Sequence, residues 1–105
     1  MGGSDTGPMP PELVVTALGT CVGIYAVRFC KKHDISTEGL TVHTDWVKGA
    51  DPVRIASMSV IIDLPAGIPE EKFEAFMRTV EQCMIHNTFC QIPQIEINLT
   101  ESVKT

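Results

Sequence analysis

The stretch PPELVVTALGTCVGIYAV, residues 10 to 27, decides the fold because it carries the pattern of one long helix. Pro11 suits the first helical turn, where no backbone donor is needed, and Glu12 suits the positive end of the helix. A helix is predicted from Pro10 to about His33 or Asp34, with apolar residues along two adjacent stripes, and we expect it to be buried at the centre of a larger structure. One stripe contains Leu13, Ala17, Cys21 and Ile24, and the other contains Val14, Leu18, Val22 and Tyr25.

Alternation of apolar and polar residues after this helix predicts a hairpin. The alternation runs from Leu40 to Trp46 and again from Ser57 to Leu64. The segment KGADP, residues 48 to 52, separates the two runs and has the composition of a turn. Two antiparallel strands are therefore expected.

The remaining sequence predicts a second helix and a last strand. Pro69 and two glutamates suit a first helical turn, and the apolar stripe that follows contains Phe73, Phe76, Met77, Val80 and Met84. After Pro93, the alternation of Ile95, Ile97 and Leu99 predicts a strand. The predicted order is α-β-β-α-β, and the fold class is α+β with a mostly antiparallel sheet.

Length and composition predict one small globular domain. The 105 residues are 44% hydrophobic and 20% charged. We assign residues 10 to 100 to the domain, residues 1 to 9 to a flexible lead-in and residues 101 to 105 to a tail. A domain of this size buries a modest share of its surface, so dimerisation would cover more apolar area.

Charge and hydropathy exclude several partners and locations. The net charge of −5 argues against a nucleic-acid partner, which would require clustered basic residues. The start of the sequence lacks the pattern of a signal peptide, and the apolar run from 13 to 27 is shorter than the roughly 20 residues that span a bilayer. We therefore predict a cytoplasmic protein without a membrane partner.

Four cysteines in a cytoplasmic protein are expected to be reduced, which leaves three interpretations of Cys21 and Cys83. If the helices pack together, the two thiols could form a redox pair. The spacing of Cys83, His86 and Cys90 also resembles a set of zinc ligands, although a fourth ligand at a diagnostic spacing is missing. The third interpretation is that the thiols are apolar fillers of the core.

Two separated segments resemble the OsmC/Ohr family of thiol peroxidases. GPMPPELVVTALGTC, residues 7 to 21, is similar to the start of that family's central helix, G-P-x-P-x-E-L-x-x-x-A-L-G-x-C. CMIHNTF, residues 83 to 89, is similar to the family's C-P-x-H-N-T-L segment. Both motifs occur in the family's order, so the resemblance covers roughly residues 7 to 99.

The resemblance implies a cysteine-based peroxidase in an intertwined homodimer. Cys21 would attack the hydroperoxide, organic or hydrogen peroxide, and Cys83 would resolve the resulting sulfenic acid. Glu12 would orient an arginine that stabilises the reactive thiolate. The reductant would be a dithiol, of the lipoyl type in one branch of the family, and neither a metal nor another cofactor is expected.

The departures from the family pattern define an alternative. The strand region that precedes the motif in the family, with its catalytic arginine, is expected to be lacking, and neither Arg28 nor Arg54 matches the position of that arginine. Met84 stands where the family has proline, and Cys30 and Cys90 have no family role. The alternative function is a non-catalytic module that responds to redox state or binds a small ligand.

Overall fold

The computed structural model describes residues 9 to 100, and its central element is one long helix. Helix α1 runs over Pro10–Lys32, as the sequence predicts. Just after the helix Asp34 adopts a left-handed conformation, with φ 58°. This turn lets the N–H of Ile35 donate to the carbonyl oxygen of Cys30 at 2.8 Å, which closes the end of the helix. The lead-in before residue 9 and the tail after residue 100, as assigned from the sequence, lie outside these residues.

The predicted antiparallel hairpin is present. Strand β1, Thr41–Ala50, pairs with β2, Val53–Asp63, and the turn falls at Asp51 and Pro52, within the predicted segment. Trp46 pairs with Met58 and Val42 with Ile62, so apolar residues of both strands share one face. An irregularity after Val47 places an extra residue in β2 and shifts the register near the turn.

The hairpin packs closely on α1 because two glycines of the helix face it. A Cβ atom at Gly19 would lie 2.5 Å from Cγ2 of Thr44, and one at Gly23 would lie 3.3 Å from Cγ2 of Val42. Gly19 is therefore what allows the strand to approach the helix at this point.

Two short helices replace the single second helix that the sequence predicts. A 3₁₀ turn, Glu70–Lys72, leads into α2, Phe73–Val80, and α3 follows at Met84–Cys90. The core lies between α1 and these helices, and the rings of Phe29 and Phe76 meet edge to face with centroids 5.4 Å apart. The buried residues of this core are Leu18, Val22, Ala26, Phe29, Cys30, Phe76, Val80 and Cys83.

The fold class α+β and the antiparallel sheet are confirmed, but the predicted last strand is wrong. Residues 92 to 100 form neither helix nor strand, so the order over the described residues is α-β-β-α-α. A strand needs a partner for its backbone groups, and the sheet here has only the two strands of the hairpin. Ile95, Ile97 and Leu99 consequently remain exposed.

Helix α1 is buried on one face within the chain, rather than on most of its circumference. Leu18, Val22 and Phe29 are buried, whereas Leu13 and Ile24 of the first predicted stripe are exposed. By length and composition alone α1 could cross a membrane. The contacts of α1 with both strands and both short helices are those of a core helix.

Candidate functional site

Cys21 and Cys83, which come from the two motifs, lie side by side in the structure. Cys21 is half-buried on the flank of α1 and packs against the core. Cys83 is fully buried at the start of α3. Cys21 is close enough to Cys83 to influence the pKa of that thiol. The folded chain therefore brings together two cysteines that are far apart in the sequence.

Local backbone structure fixes the position of Cys83. Helix α2 ends at Val80, and Cys83 adopts an extended conformation, φ −66° and ψ 151°, before α3 begins. Its Sγ accepts a hydrogen bond of 3.3 Å from the N–H of His86 and so caps α3. Cys83 therefore precedes α3 and does not lie within the single second helix that the sequence predicts.

The surroundings of Cys83 favour its protonated form. Burial raises the pKa of this thiol, and the neighbouring Cys21 thiol raises it further. The backbone N–H of His86 acts in the opposite direction, since it donates to the sulfur. Burial is the largest of these effects, so Cys83 stays a neutral thiol near neutral pH.

A cavity of about 520 Å³ lies between α1, β2 and α2, and neither Cys21 nor Cys83 lines it. Leu18 and Val22, on either side of Cys21 in the sequence of α1, form part of its wall, and Glu81 and His86 add polar groups. Its remaining walls come from β2, α2 and the loop between them, including Val60, Ile68 and Met77. Sequence alternation and the stripe of α2 mark these residues as apolar, but nothing in the pattern indicates that they leave a space between them.

Glu12, the third predicted site residue, is not next to the thiol pair. It lies in the first turn of α1, where its Oε1 accepts a hydrogen bond of 3.0 Å from the N–H of Met9. Cys21 lies nine positions further along α1, which is about 14 Å along the helix axis. The carboxylate stabilises the start of α1 in this arrangement, and its role toward an arginine stays a prediction.

The other two cysteines occupy different environments. Cys30 is fully buried in α1, and burial raises the pKa of its thiol. Cys90 is exposed, and its Sγ lies 3.7 Å from Nε2 of His86. The zinc interpretation of Cys83, His86 and Cys90 is not favoured, since within residues 9 to 100 no three His, Cys, Asp or Glu side chains are grouped to hold a metal ion.

Comparison with known families gives the identity of the fold. A family model described as OsmC-like protein matches residues 2–98. This chain belongs to the OsmC-like family. No curated protein matches the sequence.

Two solved structures show the OsmC-like fold in relatives of low identity. A protein from Psychrobacter arcticus 273-4, named for osmotic stress induction and a detoxification response, superimposes with a TM-score of 0.74 and is 21% identical. The alignment covers 82% of this chain and 63% of that one, so the chain spans less than two thirds of that relative. An OsmC-like hydroperoxide resistance protein from Jannaschia sp. CCS1 gives 0.69 and 21%, covering 97% of this chain and 74% of that one.

Proposed function

We propose that this OsmC-like protein reduces hydroperoxides with the Cys21 and Cys83 thiols. The observation that carries the proposal is the proximity of these two thiols, which come from distant parts of the sequence. The name of the Jannaschia relative, a hydroperoxide resistance protein, supports a role connected with peroxides. The largely apolar cavity whose wall includes Leu18 and Val22, on the same helix as Cys21, offers space for the organic part of a substrate.

The reaction proceeds in three steps. The Cys21 thiolate attacks the terminal oxygen of the hydroperoxide, the O–O bond breaks, and the products are a Cys21 sulfenic acid and an alcohol after protonation. The Cys83 sulfur then attacks the Cys21 sulfur, which forms a disulfide and releases water. A dithiol reductant finally returns both cysteines to thiols and itself becomes a disulfide.

Exposure and burial support the assignment of the two roles. Cys21 is half-buried and so can meet a substrate, whereas Cys83 is fully buried. The raised pKa of Cys83 makes it a poor first nucleophile, because the thiolate is the reactive form. A buried thiol that already lies beside Cys21 is well placed to resolve a sulfenic acid on that residue.

The proposal includes a homodimer in the cytoplasm. In the single chain Leu13 and Ile24 of α1 are 56% and 47% exposed, and Ile97 is 94% exposed. Exposed apolar surface of this kind marks protein interfaces. Light scattering of the purified protein should give twice the chain mass of 11.5 kDa, and a single-chain mass at micromolar concentration would contradict the dimer.

Consumption of cumene hydroperoxide in the presence of a dithiol tests the activity. Cys21→Ser should abolish turnover. Cys83→Ser should allow one oxidation, at Cys21, after which peroxide consumption stops. Cys90→Ser is the matched control, since Cys90 is exposed and lies outside the pair, and it should retain the rate of the unsubstituted protein. Equal slow reaction of all variants would instead favour the non-catalytic alternative.

A further inference from the structure

The cavity between α1, β2 and α2 exists because two of its walls stand apart. Helix α1 packs against both β2 and α2, but no Cα atom of β2 lies within 8 Å of one in α2. Alternate residues of β2 face this gap, since Met58, Val60 and Ile62 all line it. Its volume of about 520 Å³ is within the range of about 300 to 1,000 Å³ that small-molecule sites occupy. We call it the central cavity.

The polar groups of the central cavity lie where α2 ends and α3 begins. Glu81 directly follows α2, and His86 lies in the first turn of α3. The N–H of His86 donates a hydrogen bond of 3.3 Å to the sulfur of Cys83, so this end of the cavity adjoins the buried thiol. The other lining residues, among those that the structure describes, are apolar residues and one glycine.

The central cavity offers no partner for a negatively charged ligand. Among the described residues its lining contains neither lysine nor arginine, and Glu81 is its one carboxylate. The segment from 70 to 81, which contains α2, carries four glutamates against Lys72 and Arg78, so the nearby bases do not reverse the sign. Burial of an unpaired charge is costly, and a ligand that carries a carboxylate is therefore rejected.

We propose that the central cavity selects uncharged organic hydroperoxides. The apolar body of the substrate lies against Met58 and Met77, and its O–H donates a hydrogen bond to the carboxylate of Glu81, at the end that adjoins Cys83. This inference rests on the proposed function, to which it adds the class of substrate.

Binding of cumyl alcohol, an unreactive analogue of cumene hydroperoxide, tests the cavity without turnover. Met58 and Met77 line the cavity, whereas Met84 is 70% exposed and lies outside its lining, so the methionine methyl groups are NMR probes with an internal control. Cumyl alcohol should shift the first two saturably and leave Met84 unchanged. Its para-carboxylate should bind at least about tenfold more weakly at about pH 8, where histidine side chains are neutral.

The methyl ester of the para-carboxylate separates charge from size, because it is larger than the acid and uncharged. It should bind within a few-fold of cumyl alcohol, and an ester as weak as the acid would overturn selection by charge. Equal affinity for the alcohol and the carboxylate would do the same. Absence of a saturable shift at Met58 and Met77, which is also the result if a second copy of the chain fills the cavity, would overturn the site itself. An equal shift at Met84 would show general attraction to apolar surface instead.

Substitution of Glu81 tests the hydrogen-bond acceptor. Glu81→Gln should narrow the preference for cumyl alcohol over its carboxylate by about two- to fivefold, the effect of one exposed charge. Glu74→Gln is the matched control, since it makes the same change on α2 outside the cavity lining, and it should leave the preference unchanged. Equal changes in the two variants would overturn the role assigned to Glu81.

Turnover distinguishes this proposal from the function on which it rests. Cumene hydroperoxide should be reduced with a kcat/KM at least about tenfold above that of its para-carboxylate. Reduction of neither hydroperoxide, with cumyl alcohol still bound in the cavity, would overturn the peroxidase function and leave a site for neutral ligands. Equal kcat/KM for the two hydroperoxides would overturn the central cavity as the substrate site and leave the peroxidase function standing.

Discussion

The N–H of His86 donates a hydrogen bond of 3.3 Å to the sulfur of Cys83, the same sulfur that neighbours Cys21. One atom therefore caps a helix and belongs to the candidate redox pair. The arrangement places the buried thiol at the start of α3, where backbone donors are not satisfied within the helix. Substitution of Cys83 should therefore affect both the stability of α3 and the proposed redox reaction, and the two effects can be measured separately.

Loss of the Cys83 cap should destabilise α3. Cys83→Ala removes the acceptor of the His86 N–H, and we expect the free energy of unfolding to fall by about 1 to 2 kcal/mol. Amide hydrogen exchange at His86 should accelerate in the same variant. Cys90→Ala, at the exposed end of α3, is the control and should cost less than about 0.5 kcal/mol. Unchanged exchange at His86 would show that the sulfur does not cap the helix.

Stability should fall at alkaline pH. Burial raises the pKa of both Cys30 and Cys83 above the ordinary value of 9.0. The unfolded chain consequently releases these protons first, so the stabilisation is complete below the unfolded pKa and is lost as the pH rises through the raised folded values. We expect a negative slope above pH 9 of up to about 1.4 kcal/mol per pH unit for each thiol.

Denaturant unfolding under reducing conditions between about pH 7 and pH 10 measures this slope. Cys30→Ala removes one of the two thiols and should make the decline shallower, whatever its effect on stability at neutral pH. A decline that is equally steep in Cys30→Ala and in the unsubstituted protein would assign the pH dependence to other groups.

The two glycines of α1 that face the hairpin should respond differently to alanine. Both substitutions gain helix propensity, about 1 kcal/mol each. At Gly19 the new Cβ would meet Thr44 at 2.5 Å, whereas at Gly23 it would meet Val42 at 3.3 Å. Gly19→Ala should therefore be less stable than Gly23→Ala by about 1 to 3 kcal/mol, the cost of overpacking. Thermal unfolding of the two variants provides the comparison, and equal stabilities would contradict the close helix-strand contact.

The long helix and the hairpin could be predicted because their signals are local. Pro11 and the apolar period define the start and course of α1, and the turn composition around Asp51 separates two alternating runs. The last strand could not be predicted from alternation alone. Ile95 and Ile97 have the right period, but a strand forms only where another backbone is available to pair with it.

The break between α2 and α3 has no signal in the residues of this chain, since neither glycine nor proline occurs from Phe73 to Cys90. The break can be understood from the position of Met84, the first residue of α3. The family motif carries proline there, and proline is favoured in the first turn of a helix. The proximity of Cys21 to Cys83 likewise depends on the tertiary packing of α1 and α3, which residue spacing does not specify.

Mass spectrometry of the reduced protein before and after one equivalent of an organic hydroperoxide tests the central claim most directly. The account predicts the loss of two hydrogens within minutes and a crosslink between the Cys21 and Cys83 peptides, with Cys30 still free. Four free thiols after the same treatment, or a crosslink that leaves Cys21 out, would contradict the proposed redox pair.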